Sequence, residues 1–152
     1  MTKAVQQDVA LLAAAKQGLR YLTANDWALI ADKSARITFK TGETLLQRGA
    51  DAEGIYLLLK GSAKVVLPGQ TFSSIGAGEI CGEMSFLDEQ PASANVVANE
   101  AVEAFFVDRA TLQSLFELFP HLASRFYRSL AANLSRRLRE MIDAKPTKPS
   151  KL

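Results

Sequence analysis

The residues with the greatest chemical potential lie in one stretch, from Gly76 to Ala98, which reads GAGEICGEMSFLDEQPASANVVA. Its glycines let the backbone adopt positive φ and approach a ligand closely. Gly82 and Glu83 precede a short apolar run, which predicts one helical turn whose first N–H groups are free. Because free N–H groups at a helix start attract anions, the stretch predicts a phosphate cradle with the Glu83 carboxylate at its edge.

The same stretch resembles the phosphate-binding cassette of cyclic nucleotide-binding domains, the family of the Crp/Fnr-like sensor β-rolls. The residues that carry the resemblance are Cys81 to Leu87, CGEMSFL, and Pro91 to Ala94, PASA. The resemblance implies that Glu83 holds the ribose 2′-hydroxyl of the ligand. It also marks a departure, because the family's Arg, which holds the cyclic phosphate, is replaced here by Ala92.

The missing Arg has an energetic consequence. A bidentate Arg–phosphate contact is worth roughly 1.5–3 kcal/mol. At about 1.4 kcal/mol per decade, its loss weakens binding on the order of tenfold to a hundredfold. Either another cation takes its place, or the cassette is a relic.

Arg137 is the substitute cation that the sequence offers. On a helical wheel it lies inside the apolar arc of the last predicted helix, near Phe126, Leu130 and Asn133. The resemblance implies that it falls about where the family's lid helix faces the purine. We therefore hypothesise that Arg137 approaches the ligand from the lid. The alternative is that its stem crosses apolar surface to reach water or a partner acid.

These interpretations define one predicted ligand-binding set. Backbone amides of the cassette are expected to donate to phosphate, and by the resemblance the Ser93 hydroxyl does so too. The set is Gly82, Glu83, Met84, Ser85, Ala92, Ser93, Ala94 and Arg137. The predicted ligand is cAMP or cGMP, with no cofactor and no metal.

The elements that must position this set differ along the chain. Val5 to Leu19 has helical spacing of apolar side chains, and Thr23 with Asp26 predicts a capping box for a second helix. From Ala35 to Val107 short strand patterns alternate with glycine turns. His121 to Ala144 is long and amphipathic. Its predicted solvent-facing arc consists of Arg125, Arg128, Arg136 and Arg139.

The predicted fold class is mainly β with flanking α, a double-stranded β-helix or jelly roll with N-terminal helices and a long C-terminal helix. The N-terminal helices occupy residues 1–34. The cyclic nucleotide-binding-like β-roll, with its hinge and lid helices, occupies residues 35–144. Residues 145–152 are basic and interrupted by proline, which predicts a disordered tail. The family resemblance runs in order over roughly residues 20–140 and implies the same β-roll.

Composition narrows the functional class. A single Cys excludes an internal disulfide framework and favours a reducing compartment. No apolar run reaches the roughly 20 residues of a membrane span, and the start lacks a secretory core, so we expect a cytoplasmic protein. A single His argues against a cupin-like metal enzyme. Only eight residues follow Ala144, too few for a helix-turn-helix domain, so we expect a stand-alone domain without specific DNA binding.

The sequence therefore predicts a non-enzymatic regulatory module. The family resemblance implies that it binds cAMP or cGMP in the cassette and signals through movement of its C-terminal helix. The alternative is a degenerate fold that binds no nucleotide and serves as a dimerisation or protein-interaction module. In both cases the apolar stripe from Leu130 to Met141 predicts a homodimer through the C-terminal helix. A separate protein effector is the other expected partner.

Overall fold

The structure, a computed structural model, describes residues 2–144. Along this part of the chain, two helices precede six strands, a short helix, two further strands and two helices. The helices are α1 (Lys3–Ala14), α2 (Ala24–Lys33), α3 (Glu83–Asp88), α4 (Arg109–Leu118) and α5 (Pro120–Ala144). The strands are β1 (Ala35–Phe39), β2 (Thr44–Leu46), β3 (Gly54–Lys60), β4 (Ala63–Leu67), β5 (Gln70–Ile75), β6 (Ile80–Cys81), β7 (Asn95–Ala98) and β8 (Val102–Asp108).

The second N-terminal helix starts at the capping signal of the sequence, and the first ends earlier than its pattern predicts. At the start of α2, the side chains of Thr23 and Asp26 each accept the other residue's backbone N–H, as a capping box requires. α1 ends at Ala14, although helical spacing continues beyond it. Just beyond the helix, Ala15 and Gly18 both pack on Gly78: a Cβ atom added to Gly18 would lie 2.5 Å from the carbonyl oxygen of Gly78, and one added to Gly78 would lie 2.2 Å from Cβ of Ala15.

The strands form two antiparallel sheets of four strands each. One sheet has the order β1-β8-β3-β6, and the other has the order β2-β7-β4-β5. β3 lies inside the first sheet, and its sequence GIYLLLK supplies apolar side chains in both directions. This central strand therefore contributes to two cores.

One core joins the first sheet to the helices, and the other fills the roll between the sheets. Ile55, Leu57 and Leu59 pack into the helical core. Leu58 points the other way and packs with Val96 of the second sheet. The predicted fold class, a mainly β roll with flanking helices, is confirmed.

Candidate ligand-binding site

Gly82 sets the geometry at the start of the cassette. It adopts φ 90°, a left-handed conformation that favours glycine, and it is the N-cap of α3. A Cβ atom here would lie 2.7 Å from the carbonyl oxygen of Gly54, so β3 leaves no room for a side chain. The helical turn predicted from the sequence is present as α3, and Glu83 is its first residue.

The Glu83 carboxylate is buried and faces α5. Only 7% of the residue is exposed. Nη1 of Arg137 lies 3.7 Å from Oε2 of Glu83, and Nη2 lies 3.9 Å from Oε1 of Glu79. Burial raises the pKa of the Glu83 carboxyl, an effect opposed mainly by the Arg137 charge and then by the N–H groups of Glu83 and Met84. One guanidinium thus serves two carboxylates where the cassette meets the last helix.

Arg137 therefore lies next to the cassette, on the side of α5 that the helical wheel indicated. Its side chain is 34% exposed, so water screens the guanidinium on one side. The alternative role for Arg137, a long stem that reaches a partner acid, matches these contacts. Its contact with a ligand stays a prediction.

Ala92 is held by the loop that connects β2 and β3. Its N–H donates to the carbonyl oxygen of Ala50 at 3.0 Å, and its own carbonyl oxygen accepts the N–H of Gly49 at 2.8 Å. Ala92 lines a cavity of about 310 Å³ between the two sheets. Tyr56 and Phe106 contribute aromatic rings to the same cavity, 4.9 Å apart between centroids.

The charge of this cavity is acidic. Asp51 and Glu53 lie on its wall, and none of the described residues that line it is Lys, Arg or His. Burial, followed by the neighbouring acidic groups of Cys81 and Glu53, raises the pKa of the Tyr56 phenol. The charge of Glu53 is therefore close enough to act on Tyr56, a residue of the cavity wall. The lining residues therefore give an anion no countercharge, and the nearest arginine in sequence is the exposed Arg48, next to Gln47 in the same loop.

The remaining residues of the predicted set lie around α3 and the strand that follows it. Ser85 is buried, whereas Met84 and Ser93 are exposed and Ala94 is partly exposed. The structure brings Glu83 and Arg137 together, and it places Ala92 on the cavity wall. Nucleotide contact by these residues stays a prediction.

Arg109 is a cassette contact that the sequence analysis missed. Its Nη2 donates to the carbonyl oxygen of Ser85 at 2.6 Å, and its Nη1 donates to that of Phe86 at 3.2 Å. The guanidinium carbon also lies 5.4 Å from the centroid of the Phe86 ring. Because helix carbonyls concentrate negative charge at the C-terminal end, Arg109 stabilises α3 from the start of α4. No local pattern could reveal this contact, since folding alone brings the two elements together.

Arg125 departs from its predicted place on a solvent-facing arc. Its Nε donates to Oδ2 of Asp26 at 2.6 Å and its Nη2 donates to Oδ1 at 2.9 Å. Asp26 is buried, because the same carboxylate also closes the capping box of α2. The solvated-face interpretation is therefore wrong for Arg125, which joins α5 to α2.

Three further polar side chains continue this line of contacts at intervals of four residues. The Ser129 hydroxyl accepts the N–H of Tyr21 at 3.0 Å. Asn133 donates from Nδ2 to the carbonyl oxygen of Gly18 at 3.1 Å. Arg137 then reaches the two cassette carboxylates. One face of α5 therefore contacts the N-terminal segment and the cassette in succession.

Another face of α5 presents apolar side chains that alternate steps of four and three residues, the spacing of a coiled-coil seam. Its members are Tyr127, Ala131, Leu134, Leu138 and Met141. Leu138 and Met141 are exposed by 58% and 52%. Leu130, which the sequence analysis placed at the start of the stripe, is instead buried in the helical core. We name Tyr127 to Met141 at this spacing the α5 seam.

Within residues 2–144, no group of three or more His, Cys, Asp or Glu side chains could hold a metal ion. Cys81 is buried, and that burial raises the pKa of its thiol. None of the helices in this part of the chain has the length and apolar character needed to cross a bilayer.

The chain is similar to known proteins of one family. The family model described as "Cyclic nucleotide-binding domain" matches residues 36–118. The chain is 36% identical over 110 residues to the "Cyclic AMP receptor protein" of Thermus thermophilus, a match that covers 69% of this chain and 49% of that protein. Of the two relatives matched first, the chain spans 5% and 49% of their lengths, about half or less.

Solved structures share the fold. A cyclic nucleotide-binding domain from Methylobacillus flagellatus aligns with TM-score 0.82 and 24% identity over 99% of this chain and 88% of that chain. The regulatory subunit of a cAMP-independent protein kinase A from Trypanosoma cruzi, bound to guanosine, aligns with TM-score 0.66 and 22% identity. That match covers 76% of this chain and 41% of that chain.

Proposed function

The chain belongs to the cyclic nucleotide-binding domain family, and from this membership we propose that it is a non-enzymatic regulatory module that binds a ribose-bearing ligand, cAMP or cGMP. In this proposal the ribose hydroxyl donates to Glu83, while cassette amides at Met84 and Ser85 and the Ser93 hydroxyl face the rest of the ligand. Movement of α5 carries the signal.

The contact between Glu83 and Arg137 is the observation that carries the proposal. A hydroxyl that approaches Glu83 meets a carboxylate already 3.7 Å from a guanidinium of α5. The ligand must therefore compete with Arg137 or bind beside it. In either case the ligand's affinity differs between the positions that α5 can adopt, and such a difference is what shifts a conformational equilibrium.

The α5 seam supports the proposed output. Its exposed Leu138 and Met141 offer an apolar surface to a second copy of the chain. A homodimer through α5 would pass helix movement from one cassette to its twin. A separate protein effector is the alternative receiver of the signal, and a cytoplasmic location stays a prediction.

A second candidate function rests on Ala92. The acidic cavity around it gives a phosphate no cation, which favours a family member that has lost its nucleotide and acts as an interaction module. In that case α5 would serve dimerisation alone.

Thermal unfolding with and without ligand tests the proposal. A ligand at 100 times its Kd adds about 2.7 kcal/mol of stability, which is a shift of several degrees in Tm for a domain of this size. We expect such a shift with millimolar cAMP or cGMP, and we include guanosine because a fold neighbour binds it. Glu83→Gln should abolish the shift, whereas the exposed Glu89→Gln, at the other end of α3, should keep it. No shift with any of these ligands would leave the interaction module as the function.

A further inference from the structure

The cavity beside Ala92 has an unfavourable charge for a phosphodiester. Asp51 and Glu53 are exposed carboxylates on its wall, and the described lining residues include no basic side chain. A phosphate that enters gives up hydration without gaining a countercharge, and it approaches two like charges. The wall therefore selects against an anion at this position.

The two arginines whose side chains contact the cassette are already engaged. Arg137 is shared between the carboxylates of Glu79 and Glu83. Arg109 donates to the carbonyl oxygens at the far end of α3. A ligand phosphate would have to take a guanidinium away from these partners. Neither arginine is therefore a ready replacement for the missing cation at Ala92.

The groups that remain suit a ribose and a base. Glu83 is a buried acceptor, and ribose hydroxyls are donors. Gly82 packs on Gly54, the residue after Glu53, so α3 starts next to the strand that follows the cavity wall, although Glu83 is not itself one of the lining residues. Tyr56 and Phe106 present aromatic rings, and the volume of about 310 Å³ is at the small end of ligand pockets, which are roughly 300–1,000 Å³.

From these contacts we infer that the site prefers a nucleoside, a ribose-bearing base without phosphate, over the corresponding cyclic monophosphate. The ribose donates to Glu83, the base lies against the aromatic wall, and an uncharged hydroxyl occupies the space beside Ala92. The inference rests on the proposed function, since it names the ligand class of the same site.

Isothermal titration of the wild-type protein with guanosine, adenosine, cGMP and cAMP tests the inference directly. We expect each nucleoside to bind at least about tenfold more tightly than its cyclic phosphate, because a charged group that gives up hydration without a partner costs more than about 1.4 kcal/mol, which is one decade in Kd. Higher salt should narrow this difference, because salt screens the repulsion at the exposed carboxylates.

Two variants test whether the charge around Ala92 causes the preference for nucleosides. Ala92→Arg supplies the cation and should move the preference toward the cyclic phosphate by about tenfold to a hundredfold. Asp51→Asn combined with Glu53→Gln removes the repulsion without adding bulk. It should strengthen binding of cGMP and cAMP by a larger factor than it changes binding of the nucleosides. Melting curves of both variants establish that they fold.

The outcomes are distinct. Tighter binding of nucleosides, with the two variants shifting the preference as described, supports the inference. Equal or tighter binding of cAMP or cGMP by the wild type overturns the inference and leaves the proposed function standing. Absence of binding by all four compounds overturns both.

Discussion

Arg125 holds the carboxylate of Asp26 through two hydrogen bonds, 2.6 Å and 2.9 Å long, that join residues 99 positions apart. Asp26 is almost completely buried, with 1% of the residue exposed, whereas 38% of the Arg125 side chain is exposed. This contact closes the helical core where α2 meets α5. Loss of this contact should lower the free energy of unfolding, by an amount that depends on pH.

Asp26→Asn should destabilise the domain by about 1–3 kcal/mol at pH 7, the range for a hydrogen bond to a charged group, reduced by water around Arg125. Hydrogen bonds from Arg125 lower the pKa of Asp26 in the folded state. The stabilisation is therefore present above the unfolded pKa and is lost as pH falls through the folded pKa. Urea unfolding at pH 7 and pH 3 should give a smaller difference between variant and wild type in acid.

The matched control is Asp32→Asn, at an exposed position of the same helix. It removes the same charge and should change stability by less than about 0.5 kcal/mol, as surface substitutions do. Equal effects of the two substitutions would contradict a specific role for the Arg125 contact.

Arg137→Ala should make stability depend more steeply on pH. Burial raises the pKa of Glu83, so the folded state prefers the neutral carboxyl, and stability falls as pH rises from the unfolded pKa to the folded one. Removing the Arg137 charge enlarges that loss by about 0.5–1 kcal/mol, a modest value because the guanidinium is part exposed. Unfolding free energies at pH 4 and pH 8 measure it. Adding Glu83→Gln to the variant should abolish the extra slope; a slope that persists would place its origin elsewhere.

Arg109→Ala should loosen the cassette more than it loosens the rest of the domain. The two hydrogen bonds to carbonyl oxygens of α3 are charge-assisted, so their loss costs about 1.5–3 kcal/mol. Amide hydrogen exchange should accelerate in residues 83–88 before it changes in β3. Arg139→Ala, at an exposed position of α5, is the control and should leave both rates unchanged. Uniform acceleration across the domain would show that Arg109 has no local role.

Gly82→Ala and Gly42→Ala form a pair that separates steric from conformational cost. Both glycines have positive φ, 90° and 88°. Such a conformation costs a residue with a Cβ about 1–3 kcal/mol. An added Cβ at Gly42 meets nothing within 4 Å, whereas at Gly82 it would lie 2.7 Å from the carbonyl oxygen of Gly54. We expect Gly82→Ala to cost at least 1 kcal/mol more in urea unfolding, roughly the lower limit for overpacking.

Leu138→Glu should weaken self-association through the α5 seam. The substitution puts a charge into an apolar contact between helices, where burial without a partner is strongly unfavourable. Sedimentation velocity over a range of concentrations measures the monomer fraction. Ser135→Glu adds the same charge at an exposed position that flanks the seam and should weaken association less, because it replaces no apolar contact. A wild-type chain that stays monomeric at high concentration would refute the homodimer.

The sequence predicted those parts of the fold and site that depend on residues close together in the chain. The capping box at Thr23 and Asp26 is visible in the sequence because its two residues are three positions apart. Helical periodicity placed Arg137 on the buried side of α5, since a regular helix fixes the direction of each side chain. Short strands and glycine turns indicated the roll.

Contacts between distant segments explain what the sequence analysis missed. Arg125 was assigned to a solvent-facing arc, because no residue near it in sequence indicates that it pairs with Asp26. Arg109 reaches α3 across 23 residues. α1 ends before the predicted Leu19, and the residues just beyond its end make a tertiary contact with Gly78 that helical spacing does not reveal.

The line of polar contacts along α5 has a consequence during translation. Three of these contacts join residues that are far apart in sequence. The α5 partners of Asp26, Tyr21 and Gly18 follow them by 99, 108 and 115 positions, respectively. A ribosome that adds about 5–20 residues per second needs about 5–20 seconds to supply that length. Throughout this interval the N-terminal segment lacks its α5 partners, so its attachment to α5 can form only after α5 has been synthesised.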